Sequence, residues 1–396
     1  MKLTKSLAAL ASASLLLTAC GGGDSGASEN EIVLGIVTDS SGGASAYSPF
    51  TEAGIQLAVD EINDAGGIDG KKIRVVEESD GSDTTQTPTI ARRLIDDGAQ
   101  VLVLNSGSAS AIAAKVVCVE EDILCVAPTN LSSSIVEEPD NENIFILGPT
   151  STGIGDAFAE GMSAAGYEKV AVIADDVATI QDYVPAIVGP IEEAGVSEVA
   201  EEKVAADASD VSAQIARVKD SDPDVVLVMS LGGQTEAVVQ NALHRAMPDV
   251  PRFSLASIGN QPATWELADE GALEGVVFAG SIDPANKRTA EFADKLAEVG
   301  GEHSELTAYG PQGYDAVQLI SQAIEAAGGA SDKGAVTDAF MELSGYQAHY
   351  GQDAYTMSFA EDKHVGADGN CGLVLAQFGA DNKPGEAWAE YQPSCD

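Results

Sequence analysis

Three short stretches hold the residues best suited to gripping a small ligand. They are Thr38-Asp39-Ser40-Ser41-Gly42-Gly43, Asn105-Ser106-Gly107-Ser108-Ala109-Ser110 and Pro128-Thr129-Asn130-Leu131-Ser132-Ser133-Ser134. Each follows an apolar run and is rich in hydroxyls. A Gly/Ser turn entering a helix presents backbone N–H groups that suit a carboxylate or another small anion. Ser and Asn are also ordinary helix caps, and for any single loop capping is the simpler reading. Three such loops on one sheet edge favour binding, with Ser106, Gly107, Ser108, Thr129, Asn130 and Ser132 as candidates.

Covalent chemistry has little support. There is no G-x-S-x-G elbow, no phosphate-binding G-x-x-x-x-G-K-[ST] loop and no H-E-x-x-H pair. Gly35 opens no G-x-G-x-x-G fingerprint, so no dinucleotide cofactor is expected. Among 63 acids, adjacent pairs such as Asp60-Glu61 and Asp175-Asp176 arise without catalytic purpose. The cluster Asp80-Gly81-Ser82-Asp83 lacks the ordered ligand spacing of a calcium loop and reads as a solvated turn. The four histidines are scattered and no C-x-x-C occurs, so no metal is expected.

Alternating elements must position these loops. Short β-branched runs (32–37, 72–76, 101–104, 123–126) alternate with helical stretches near 50–65, 87–97 and 110–117. The alternation restarts at Asn143-Ile144-Phe145-Ile146-Leu147 and continues through 170–173, 224–228 and 276–279, with helices ending near Gly166, Gly195 and Ala246. A further helical segment spans 311–345. Continuous apolar runs separated by helices indicate parallel sheets covered on both faces. The fold class is α/β, with two Rossmann-like units.

The first residues carry an address. Lys2 and Lys5 precede an apolar run from Leu7 to Leu17, too short to span a bilayer, and Leu-Thr-Ala-Cys ends at Cys20. This resembles a bacterial lipoprotein signal (1–19), with Cys20 acylated and the Gly/Ser-rich segment 20–30 as a flexible tether. Such an anchor predicts an extracytoplasmic protein lipid-anchored to the cell membrane. Exported cysteines tend to pair. Cys118 at a helix end and Cys125 at the next strand allow a local bridge, leaving Cys371 for Cys395. Losing Lys2 and Lys5 would take the formal charge from -43 to -45. That surface is unsuited to nucleic acid, whose phosphates require Lys and Arg, and suits solubility.

Longer motifs carry a family resemblance. Gly54-Ile55-Gln56-Leu57-Ala58-Val59-Asp60-Glu61-Ile62-Asn63, Gly66-Gly67-Ile68-Asp69-Gly70-Lys71-Lys72-Ile73 and Tyr314-Asp315-Ala316-Val317 resemble the leucine/isoleucine/valine-binding group of type I periplasmic binding proteins. The resemblance implies a two-lobed Venus-flytrap. Lobe 1 would comprise 31–148 plus 281–351, and lobe 2 would comprise 149–280 plus 352–396. It implies a monomer that closes on a small-molecule ligand and presents it to an ABC transporter permease. By position, Ser41 and Tyr47 match the family's first ligand loop, Ser108 the carboxylate-binding serine, and Thr129 to Ser132 the second carboxylate loop.

The second lobe departs from the pattern. Thr179-Ile180 replaces a Tyr-Gly pair, and Leu231-Gly232 replaces an aromatic pair. Around Ser257, the loop Leu255-Ala256-Ser257-Ile258-Gly259-Asn260 lacks the acid that meets an amino acid's ammonium. Thr179, Leu231 and Ser257 are the expected second-lobe contacts. Either Asp175 or Asp176 substitutes for that acid, or the ligand is no zwitterion. Two alternatives use the same fold: a ligand-sensing receptor signalling to a membrane partner, and an enzyme working in the interlobe cleft.

Overall fold

The structure, a computed structural model, describes residues 30–393 and 395. The proposed signal and Cys20 lie outside them. The first sheet contains β1 (Glu31–Thr38), β2 (Lys72–Ser79), β3 (Val101–Asn105), β4 (Cys125–Ala127) and β5 (Ile144–Ile146), all parallel, in the order β2-β1-β3-β4-β5. The strand that restarts the alternation, β5, thus closes the first sheet. Thr38 pairs with both Ser79 and Asn105, so the strand ends align and their loops share one edge. The hydroxyl-rich loops are brought together by this register.

The second sheet is built on β6 (Lys169–Asp175), β7 (Ser197–Val204), β8 (Val225–Met229), β9 (Arg252–Ser254) and β10 (Val277–Gly280). Between β10 and the final strands runs a two-residue ladder, β11 (Tyr346–Gln347) with β12 (Thr356–Met357). Then β13 (Val374–Phe378) adds antiparallel to β10 and β14 (Pro384–Ala387) adds antiparallel to β13, giving the order β14-β13-β10-β9-β8-β6-β7. Apolar central strands explain the buried order, and the acid-rich β7 takes the exposed edge.

Helices α1 (Ser48–Asp64), α2 (Thr87–Asp96) and α3 (Ser108–Glu120) cover the first sheet, joined by a later helix, Tyr309–Ala326. Helices α4 (Ser151–Ala164) and α5 (Ala178–Glu193) pack together on the second. Here the recognisable motifs find their physical reason. A Cβ on Gly54 would lie 1.9 Å from the Gly310 carbonyl oxygen, so only glycine lets α1 meet Tyr309–Ala326. Tyr314 donates to Glu61 at 2.6 Å, and Asn63 bonds the backbone of Ile73 in both directions. Asp315 accepts from Tyr346 and from the His349 backbone. These motifs hold helices and strands together; Gly54, Glu61, Asn63, Tyr314 and Asp315 do not line the cleft.

Core membership locates the crossings between lobes. Leu147 packs in the first core and Ile154 in the second; Ala279 lies in the second and Phe292 in the first. The third crossing was expected near Gly351, yet Tyr355, Met357, Phe359 and Cys371 all pack in the first core, and Leu373 is the first residue in the second. The crossing therefore sits at Cys371-Gly372. The burial of those side chains holds residues 352–371 on lobe 1. Gly351 still touches the hinge, its N–H donating to Ser281 at 2.7 Å. Both expected disulfides are present, Cys118–Cys125 and Cys371–Cys395.

Candidate functional site

The two strand-end edges face one another across a cleft. From lobe 2, Asp175 ends β6, and Ser230 and Leu255 follow directly on β8 and β9. Ser108 Oγ lies 2.7 Å from Tyr183 OH of α5 and accepts the Leu131 N–H at 3.3 Å. Thr179 Oγ1 accepts the Ala109 N–H at 3.4 Å, capping α3 from the opposite lobe. Ser132 and Ser134 both donate to the Asp182 carboxylate, the latter at 3.0 Å. The Ala308 N–H donates to Asn260 Oδ1 at 2.7 Å. In this structure the lobes are in contact.

The hydroxyl-rich loops are filled largely by the protein's own groups. Asp39 turns back into its loop, and its carboxylate accepts the N–H groups of Ser41, Gly42 and Ala44 and the Ser82 hydroxyl. Ser106 donates to Asp80 at 2.8 Å, and Thr87 donates to the other oxygen of that carboxylate. Asn130 donates to the Ser106 carbonyl. Capping, with Asp39, Asp80 and Asp182 as the carboxylates, accounts for most of the pattern seen in the sequence.

Between the lobes lies a cavity of about 40 Å³. Several times the 10–15 Å³ or so that one water requires, it suits a compact solute. Tyr47, Thr129, Leu231 and Ser257 line it, four of the expected contacts. Ser106, Gly107, Ser108, Asn130, Ser132 and Thr179 sit behind it, at the lobe contact or within their loops, and Ser41 is exposed. Tyr183 and Tyr309 also line it, with Tyr309 stacked on Tyr47 at a ring separation of 5.0 Å. Neither was anticipated. Tyr183 lies one helical turn beyond Thr179, and Tyr309 begins the helix carrying Tyr314-Asp315, so both were near flagged residues.

Every lining side chain is uncharged. Thr129 Oγ1 is buried without a hydrogen-bond partner. Asp175 stands behind Ser230, accepting its hydroxyl at 2.7 Å and the Leu231 N–H at 3.3 Å. Burial pushes its carboxyl up to about 6. Asp176 is exposed and accepts the Ala206 N–H. Neither candidate counter-acid lines the cavity. Gly232, with φ of +92°, occupies a left-handed turn hard against Gln261, which leaves no room for a side chain after Leu231. Burial also raises the Tyr183 phenol to about 12, so it stays neutral.

Two strand-end edges closing on a cavity match known proteins. The Periplasmic binding protein family profile covers residues 31–378. The chain belongs to this family. Leu/Ile/Val-binding protein homolog 1 of Brucella suis is 28% identical, covering 82% of this chain and 86% of the relative. Leu/Ile/Val-binding protein BraC3 of Rhizobium johnstonii is 25% identical, covering 79% and 84%. The Streptococcus pneumoniae branched-chain amino acid transporter substrate-binding protein LivJ, solved with isoleucine, superposes with a TM-score of 0.79. It is 22% identical over 92% of this chain and all of that one. The fold is therefore the type I periplasmic binding protein fold, of the Leu/Ile/Val-binding group. The family consists of extracytoplasmic solute-binding proteins that work with ABC transporters, and the chain is a binding protein, not an enzyme.

Proposed function

We propose that the protein is a lipid-anchored receptor that captures a small solute by lobe closure and delivers it to an ABC importer permease. The solute class the family suggests is a branched-chain amino acid or a related amide or carboxylate. Acylated Cys20 would hold the receptor near its permease, so that local concentration supplements a weak docking affinity. The enclosed cavity bounded by both lobes carries the reading, supported by the cross-lobe bonds at Ser108, Ser132 and Ser134. Closure can respond to ligand only if second-lobe contacts form in the closed state, as Tyr183, Ser230 and Leu231 would do. Thermal-shift screening of the full chain in detergent tests the idea. A specific solute at a hundredfold excess over its dissociation constant should add about 2.7 kcal/mol of apparent stability. A melting curve unmoved by every amino acid, amide and carboxylate tried would refute capture.

A further inference from the structure

We infer that the cleft selects an uncharged, mainly apolar solute bearing an amide or hydroxyl group, and rejects α-amino acid zwitterions. The inference rests on the capture reading above. A zwitterion needs a place for its carboxylate and another for its ammonium. Most of the first lobe's anion-binding capacity is already committed. The Ser41–Ala44 N–H groups hold Asp39, the start of α3 is capped by Thr179, and Ser108 is engaged by Tyr183. For the ammonium, no carboxylate among the described residues lines the cavity. Asp175 is screened by Ser230. Glu236 lies deeper still, its Oε1 accepting from Gln240 at 2.8 Å and Ser254 at 3.0 Å. Burying either charge without a partner is strongly unfavourable.

What the cavity does present is apolar surface and neutral polar groups. Leu131, Ile154, Leu231, Leu255 and Leu373 surround three tyrosines. Thr129 is more than nine-tenths buried, and its hydroxyl is the unpartnered polar group at the wall. A neutral amide can accept from that hydroxyl or donate to it at little desolvation cost. Ser230, Ser257, Asn260, Ser281 and Gln312, also uncharged, complete the polar part of the lining.

The test titrates the full chain in detergent with 4-methylpentanamide and 3-methylbutanamide, against leucine, isoleucine, valine and 3-methylbutanoate, by calorimetry and thermal shift. The expected result is binding of an amide at least tenfold tighter than any amino acid or the carboxylate. Thr129→Val should weaken that amide about tenfold, the loss of one buried hydrogen bond, while leaving the ligand-free melting temperature unchanged or higher. Amino acids or the carboxylate binding as tightly as the amides would overturn the selectivity and leave capture standing. Amide binding untouched by Thr129→Val would overturn the assigned contact. Silence across the whole panel would overturn capture and this inference together.

Discussion

Asp182 offers the sharpest probe of closure, because one side chain of α5 receives two hydroxyl donors from the opposite lobe. Ser132, fully buried, and Ser134 both point at its carboxylate. Hydrogen bonds to a charged group contribute about 1.5–3 kcal/mol each when buried. Asp182 is only half-buried, so solvent screening lowers this to roughly 1–1.5 kcal/mol per bond. Asp182→Ala should therefore weaken the closed arrangement by about 2–3 kcal/mol, a shift of roughly 30- to 150-fold in the open–closed equilibrium. Apparent solute affinity falls by up to that factor, in full where the free protein is mostly open. Small-angle scattering with saturating and limiting solute reads the compaction, and calorimetry reads the affinity. Asp182→Asn, keeping one acceptor, should lie between. If Asp182→Ala leaves scattering and affinity as in the parent, the clasp does not bias closure and the argument from these contacts fails.

The Ser108 and Tyr183 hydroxyls should couple by about 1 kcal/mol in a double-mutant cycle of Ser108→Ala and Tyr183→Phe, read from solute affinity; additive effects would refute a direct bond. Glu236 gives a pH signature. Burial raises its carboxyl to about 7 from an ordinary value of 4.5, so the folded state holds a proton that the unfolded chain releases. Stability is therefore fullest below about pH 4.5 and falls as pH rises through 7, by about 3 kcal/mol. Urea unfolding at pH 5 and pH 8 should show that fall, and Glu236→Gln should reduce it to the part that Asp175, raised to about 6, contributes; an equal fall in both proteins would dismiss Glu236 as a source. Gly54→Ala drives a methyl against the Gly310 carbonyl and should cost several kcal/mol on the overpacking scale. A loss under about 0.5 kcal/mol would mean the two helices separate freely.

The apolar strands of the first sheet were readable because burial on both faces leaves nearly unbroken Val, Ile and Leu runs. The acidic edge strand β7, reading Ser-Glu-Val-Ala-Glu-Glu-Lys-Val, gives no such run, and three-residue β9 is too short to register. The crossing at Cys371-Gly372 was hidden for another reason. Nothing local to Tyr355, Met357 and Phe359 says which of two cores will bury them, and packing against Phe145 and Phe340 decides it. In the cleft, the hydroxyl loops were visible but their partners were not. Asp182 lies 50 residues from Ser132, and Tyr183 lies 75 residues from Ser108. Composition identifies a group able to hold an anion; only the fold shows that the protein has already supplied one.

The protein's charge and its cleft chemistry act in the same direction. A net charge of -43 makes the approach of anions unfavourable, although salt confines that field to about 8–10 Å from the surface. Within the cleft, Asp39, Asp80 and Asp182 occupy the loops that would otherwise welcome a carboxylate. A cation would enjoy the outer field but, among the described residues, would meet no acid on the cavity wall. Only a neutral solute is opposed neither by the long-range field nor by the lining. The acidic surface can thus serve solubility without steering the ligand, and affinity would then depend little on ionic strength. A steep salt dependence of solute binding would contradict this, because it would require a net ligand charge that the lining leaves unpaired.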